Sequence, residues 1–276
     1  MLCDVRHSLT TACATALLLS ATMAQAGSYL QSEGDLNYSI GVGYLSASRE
    51  WDNRGELQRL PCRNDYLYNS HYLEYGYSYY YTLFGGTNLA QSKCGAEDTT
   101  GVGDVRVGLR GRLDQTRNHR AWQLELNIPT SDDESGRTRL GCGVVGLAGS
   151  VARKDDVSAR LTVGAEAGLQ LWDAPLLHQV EGRLSASGAI GELSQSRWNW
   201  NAGLSGHVPL EAQDNNPDAS LSDCGTQGKS LRGSLALGYR VASGKYLECG
   251  NSLGLWGVDT TKRVGFFCGY SHRWKR

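Results

Sequence analysis

Beyond its first segment, the 276-residue chain has no apolar run long enough for a membrane helix, which needs about 20 residues. If such a chain crosses a bilayer it must do so as strands, because only helices and closed barrels satisfy every backbone group in lipid. A basic excess is also missing. The 27 Lys and Arg face 28 Asp and Glu, a formal charge of −1, which disfavours nucleic acid as a partner. Phenylalanine (3), proline (5) and methionine (2) are scarce. There is no CxxC or comparable metal-ligand spacing, and Gly141-Cys142-Gly143 lacks the lysine-serine pair and following helix of a phosphate loop. No metal, nucleotide or redox cofactor is implied. What is abundant is glycine, 35 residues, together with 14 tyrosines, the composition of a turn-rich all-β chain.

The first segment reads as an export signal. Arg6 and His7 precede an apolar stretch around Ala12 to Ala21, and Ala24-Gln25-Ala26 has the form of a cleavage site. That apolar core is too short to span about 30 Å of hydrocarbon. The expected division is a signal peptide over 1–26 and a barrel over 27–276, the mature chain starting near Gly27.

After Gly27 the dominant pattern is period-two alternation in twelve segments, each about ten residues long. In Leu36 to Ala47, Leu36, Tyr38, Ile40, Val42 and Tyr44 alternate with Asn37, Ser39, Gly41 and Gly43. In the seventh segment, Val157, Ala159, Leu161, Val163 and Ala165 alternate with Ser158, Arg160, Thr162, Gly164 and Glu166. The others lie near 67–77, 80–91, 102–113, 119–129, 143–152, 176–190, 198–210, 231–242, 246–257 and 263–274.

A secreted soluble barrel with its apolar set inside has the same alternation. Three features favour a membrane barrel with the apolar set outside. The polar face is rich in glycine, serine and arginine, as suits a lumen. Links alternate between short ones, after Tyr77, Leu113, Ala152 and Ala242, and long ones over Ser48–Asp65, Ser92–Gly101, Thr130–Gly141 and Glu211–Ser230. That is the asymmetry of periplasmic turns and extracellular loops. Aromatic residues also stand near segment ends: Tyr44, Trp122, Trp172, Trp198, Trp256, Tyr270 and Trp274. The expected fold is an all-β transmembrane antiparallel barrel of about twelve strands in the bacterial outer membrane, in contact with lipid and lipopolysaccharide. The last segment resembles the aromatic-terminated signal read by the outer-membrane assembly machinery, although Lys275 and Arg276 follow Trp274.

Cys3 and Cys13 would leave with the signal, so six cysteines would reach an oxidising compartment. Cys62, Cys94, Cys142 and Cys224 fall in or beside different long loops, and their pairing is open. Cys249 and Cys268 share a face of the last two strands at similar distances from the intervening turn, which suits a cross-strand bond.

Leu73-Glu74-Tyr75-Gly76-Tyr77, then Thr82-Leu83, then Gly101-Val102-Gly103-Asp104-Val105-Arg106-Val107-Gly108-Leu109-Arg110 follow one another in an informative order. They resemble the "E-Y-G" and "G-x-G-D-x-x-x-G-x-(R/K)" strands of the outer-membrane proteins named for the meta-pathway of phenol degradation. Leu124 to Thr130 is similar to that family's "L-x-L-x-x-P-T" strand end, and the likeness covers most of 30–150. The resemblance implies an outer-membrane barrel that passes aromatic or other apolar compounds, with no catalytic residues.

With the apolar set outside, the inward set includes Arg106, Arg110 and Arg112, then Arg160, Arg183, Arg197, Arg232, Arg240, Arg263 and Arg273. The acids are fewer: Glu74, Asp104, Glu125, Glu166, Glu181 and Glu248. One reading is an anion-preferring pore for small organic solutes. The other is a lumen braced and plugged by ion pairs, acting structurally or through its loops. A membrane hydrolase is the weakest reading. Ser70 and His71, like Ser271 and His272, are strand neighbours and face opposite ways, so neither pair meets as nucleophile and base.

Overall fold

The computed structural model describes residues 30–114, 119–130, 140, 144–173, 178–191, 196–210 and 228–275. The expected signal at 1–26, Cys142 and Cys224 lie outside the described residues, as does most of the two long loops after Thr130 and Leu210.

Among the described residues the chain is all strand: β1 (Leu36–Trp51), β2 (Leu57–Gly76), β3 (Tyr81–Cys94), β4 (Glu97–Val102), β5 (Val105–Arg112), β6 (His119–Ile128), β7 (Gly146–Ser158), β8 (Leu161–Trp172), β9 (Gln179–Ile190), β10 (Trp198–Pro209), β11 (Lys229–Ala242), β12 (Lys245–Val258) and β13 (Thr260–Trp274). Each pairs antiparallel with its neighbours, and β1 pairs with both β2 and β13, so the sheet closes. β4 and β5 fill one position, since both pair with β3 and are separated only by Gly103 and Asp104. The result is a closed barrel with twelve strand positions. Leu36 lies opposite Trp274, so both ends of the barrel meet at the rim that carries the short turns. In outer-membrane barrels that rim is periplasmic.

The alternation has become a lipid face. Val42, Leu67, Leu89, Leu124, Leu147, Leu184, Leu235, Leu253 and Val264 all point outward and stay exposed, as an apolar belt should. Tyr75, Tyr77, Tyr81, Trp198 and Trp274 form the aromatic ring at the periplasmic rim. Trp172 is an exception to the expected girdle. It is buried, turned inward across Gly146, its register partner. The same device recurs: Tyr68 lies over Gly43, Phe84 over Gly108 and Trp122 over Gly111, each aromatic ring occupying the space a side chain on the paired glycine would take. This pairing explains why glycine and aromatic residues are abundant together.

Two expectations about loops change. Ser48–Asp65 is mostly strand, with Trp51 opposite Leu57 and only five residues, Asp52 to Glu56, in the turn. Asp52 accepts hydrogen bonds from the amides of Arg54 and Glu56, and Gly55 supplies the left-handed backbone (φ 78°). Ser92–Gly101 is likewise the β3–β4 hairpin. Above the bilayer a strand needs no apolar outer face, so the charged residues that broke the alternation do not break the ladder.

Cys62, on β2, bonds Cys94, at the end of β3, with Cα atoms 5.5 Å apart. Cys249 and Cys268 are direct cross-strand partners, Cα atoms 4.0 Å apart, and also bonded. The first bond staples the outer hairpins, and the second lies on the lipid face.

At the β12–β13 turn, exposed Asp259 takes a positive φ of 48°. Partial burial, then the nearby Asp52 carboxylate, raise its pKa above the ordinary value. A raised carboxylate pKa makes folding most favourable below the unfolded pKa, about 3.9, and less so as pH rises through the folded value. At neutral pH the charge is therefore a small cost. Asp259→Asn, which keeps a residue tolerant of positive φ, should raise the unfolding midpoint at pH 7 by an amount worth a few tenths of a kcal/mol. Equal midpoints for the two proteins at pH 3 and a gap at pH 7 are the expected urea-titration result. A gap that persists at pH 3 would refute the electrostatic cause.

Candidate functional site: the barrel lumen

The inward side chains divide the lumen into a packed wall and an open one. On the packed wall, Arg110 from β5 is almost wholly buried and reaches Glu74 on β2 at 3.0 Å. Its other nitrogens donate to Gln123 Oε1, at 3.0 and 3.1 Å, and to the Tyr72 hydroxyl. Tyr72 in turn donates to Glu74 at 3.0 Å. Nearby, Arg106 and Glu125 approach to 3.9 Å. Leu45, Tyr66, Tyr68, Ala90 and Leu140 make an apolar cluster inside the outer half.

The open wall, β7 to β12, holds a stack of cavities. One of about 100 Å³ in the outer half is lined by Arg106, Glu125, Glu166, Glu181, Arg183, His207 and Arg232, among others. A second, also about 100 Å³, touches Lys154, Arg183, Asn201, Ser205, Ser234 and Glu248. A third, about 370 Å³, sits at the periplasmic end against Gln31, Tyr72, Glu74, Asn199, Glu248 and Arg273. Arg183 and Ser205 wall both the first and second, and Glu248 both the second and third. Within this wall Ser150 donates to Glu166 (2.8 Å) and Asn201 to Glu248.

The periplasmic end is narrowed by the segment before β1. The Gln31 amide donates to Thr82 Oγ1 (2.9 Å) and its side chain to Glu74 (2.5 Å). Gly34 N donates to Gly76 O (2.8 Å), Gly76 N to Asp35 O (2.9 Å), and Asp35 pairs with Arg273 at 2.7 Å.

Arg106, Arg183, Arg232, Glu125, Glu166 and Glu181 thus stand together around the outer cavity. Of the remaining arginines, Arg110 faces inward as expected and four others stand at the rims. Arg110 is locked in its ion pair. Arg112 leans on the Tyr79 ring at the periplasmic rim, 4.4 Å from its centroid. Arg160 is exposed in the β7–β8 turn. Arg197 precedes β10 and donates to the Tyr239 hydroxyl, while Arg240 donates to the Ser196 carbonyl, both at the same rim. With these four outside and Arg273 paired to Asp35, interior Arg106, Arg110, Lys154, Arg183, Arg232 and Arg263 face Glu74, Asp104, Glu125, Glu166, Glu181 and Glu248. Among the described residues the interior is balanced rather than cationic.

Sequence reasoning missed Tyr66 and Tyr68, which point inward beside the polar set. Their parity with Ser70 and Glu74 on β2 carries that information. It also missed Lys154, hidden by the neighbouring charges Arg153 and Asp155, and the closing role of Gln31–Asp35. Ser230 Oγ lies 3.0 Å from His207 Nδ1 in the lumen. The imidazole also bonds the Gly228 backbone and faces Arg232, and Glu181 is its cross-strand partner.

No family model and no curated protein matches the chain. Solved structures do resemble it. An outer membrane channel from Pseudomonas putida F1 superposes with a TM-score of 0.72 at 12% identity, covering 90% of this chain and 98% of the other. The translocator domain of the autotransporter NalP from Neisseria meningitidis gives 0.58 at 12% identity, over 98% and 100%. The NanC porin gives 0.52 at 9% identity, over 85% and 98%. The closed barrel, its apolar belt and these likenesses define a bacterial outer-membrane β-barrel.

Proposed function

We propose that this barrel is a passive channel for small organic solutes. The observation that carries the reading is the stack of polar cavities along β7 to β12, which share lining residues from the outer half to the periplasmic end. The resemblance of Glu74–Gly76 and Gly101–Arg110 to the phenol-degradation family points to aromatic or apolar solutes, and the similar Pseudomonas putida protein is itself an outer membrane channel. Residues 1–26 would serve as the export signal, and the β13 end as the segment read by the assembly machinery.

The balanced interior changes the expected selectivity. Refolded protein in planar bilayers should give steady openings with little preference between small cations and anions of similar size. Reversal potentials under a salt gradient measure this. A strong anion preference would mean that the rim arginines, not the lumen, govern entry. A folded, heat-modifiable barrel that stays silent would overturn the channel reading. It would favour the second one, a braced barrel acting structurally or through its outer hairpins, for which the Glu74–Arg110 pair and the seated Gln31–Asp35 segment are the specific observations.

A further inference from the structure

Three charged side chains line the periplasmic cavity, Glu74, Glu248 and Arg273, and two of them are already neutralised. Glu74 pairs with Arg110, and Arg273 with Asp35. Glu248, on β12, forms no ion pair among the described residues. Its hydrogen bond comes from the neutral Asn201 side chain. Glu248 is also the residue that joins the second cavity to the third, since it lines both. The cations bordering the second cavity, Lys154 and Arg183, stand on β7 and β9, and neither pairs with it.

The register leaves space around this carboxylate. One row across the wall runs Asn199, Gly238, Glu248, Gly269 and Gly41, on β10, β11, β12, β13 and β1. Neither strand beside Glu248 therefore places a side chain of its own in that row. The Asn199 carboxamide lies over Gly238, where an added Cβ would stand 1.9 Å from its Oδ1, so it reaches across β11 toward Glu248. That Oδ1 is buried and accepts no hydrogen bond among the described residues. Gln31 Oε1, in the wall of the same cavity, is in the same condition, while the Gln31 side-chain nitrogen donates to Glu74. Buried carbonyl oxygens are normally hydrogen-bonded. The cavity thus offers one unpaired carboxylate and two unused carbonyl acceptors, and Tyr72 and Tyr246 line the same space.

A carboxylate held in the lumen without a counter-ion favours a cation that can also donate hydrogen bonds to it. A primary ammonium brings one positive charge and three N–H donors, and aromatic faces attract such a cation further. A bare calcium ion would need about six to eight oxygen ligands, more than this wall supplies. The volume, about 370 Å³, is that of a small-molecule pocket. We infer that Glu248 is a binding station for the ammonium group of a small organic amine. Asn199 is its second acceptor, and the apolar body of the amine lies in the cavity beside Tyr246. This deepens the channel reading by naming a solute class, and it rests on that reading for its role in passage. The binding itself does not. One station in one cavity leaves the charge balance of the whole lumen unchanged.

The test is equilibrium binding of benzylamine to the refolded full barrel in detergent at pH 7, followed by titration calorimetry, with benzyl alcohol and benzoate as probes of the same body without the positive charge. Benzylamine should bind more tightly than either. Glu248→Gln should weaken it about tenfold or more, Glu248→Asp, which keeps the charge, less, and Asn199→Ala by a few fold. Glu97→Gln, in the exposed β3–β4 hairpin, should leave the affinity unchanged. Heat modifiability on gels establishes that each variant is folded. Equal affinity for benzylamine and benzyl alcohol, or a Glu248→Gln barrel that binds benzylamine as the parent does, overturns the station. Displacement of benzylamine by an equal concentration of calcium also overturns it, because the site would then prefer an inorganic ion. A barrel that binds benzylamine through Glu248 but conducts no ions keeps the station and removes the channel reading. A conducting barrel blind to benzylamine does the reverse.

Discussion

Glu74→Ala should be among the most damaging single changes in the barrel, lowering its stability by about 3 kcal/mol or more. Arg110 is buried to 1% exposure and depends on Glu74 for its counter-charge, at 3.0 Å. Removing one member of a buried pair leaves the other charge uncompensated, which costs more than the pair itself contributes. Gln123 and Tyr72 still accept or share hydrogen bonds with the guanidinium, but neither carries charge. Glu74→Ala also frees Gln31 and the Tyr72 hydroxyl. The double change Glu74→Met with Arg110→Met should recover most of the loss, because it removes both charges and fills the space. Urea unfolding in lipid vesicles, read by tryptophan fluorescence, measures both. If Glu74→Ala unfolds with the parent midpoint, Arg110 is solvated by lumen water and the pair is no brace.

The Glu74–Arg110 contact joins the two motifs on which the family resemblance rests, and it marks how far sequence reasoning reaches. Parity put both residues on the inward face, because a strand faces one residue in two to each side. Parity does not say which inward groups meet, since that depends on register around the ring and on side-chain reach. The same limit explains Arg160. The β7–β8 turn inserts only Ala159 and Arg160 between Ser158 and Leu161, an even number, so the odd-numbered apolar set runs through the turn without a break. Period-two alternation therefore continued into what looked like one longer segment, with Arg160 inside. The charged hairpin at Arg49–Arg63 is the opposite case. There the ladder continues after the lipid ends, and the apolar signal stops with the lipid rather than with the strand. The lipid-facing half of the fold was legible because hydrocarbon imposes one rule on every outward position. The lumen was less so, since polar, charged and aromatic residues all satisfy it.

Gly76→Ala should open the periplasmic end. A Cβ built on Gly76 would stand 1.9 Å from the Ser32 carbonyl oxygen and 2.7 Å from its carbon, and these are backbone atoms with no rotamer to escape into. Gly76 sits at the last position of β2, so the barrel ladder itself gains no clash with its strand partners. The segment Gln31–Asp35 must leave instead, and it takes with it the Gly34 to Gly76 and Gly76 to Asp35 hydrogen bonds. Gln31 is part of the wall of the 370 Å³ cavity, so its departure joins that cavity to the periplasmic solvent. If the barrel conducts, single-channel conductance of Gly76→Ala should rise several-fold over the parent, with stability lowered by about 1–2 kcal/mol for the lost contacts. Gly182→Ala is the control, since an added Cβ there meets nothing within 4 Å and points to lipid. It should leave conductance unchanged. A Gly76→Ala barrel that is folded and conducts no better than the parent would move the constriction to the outer half, where Leu45, Tyr66 and Tyr68 crowd the lumen beside Arg232. In that case Tyr66→Ala should widen the pore where Gly76→Ala did not.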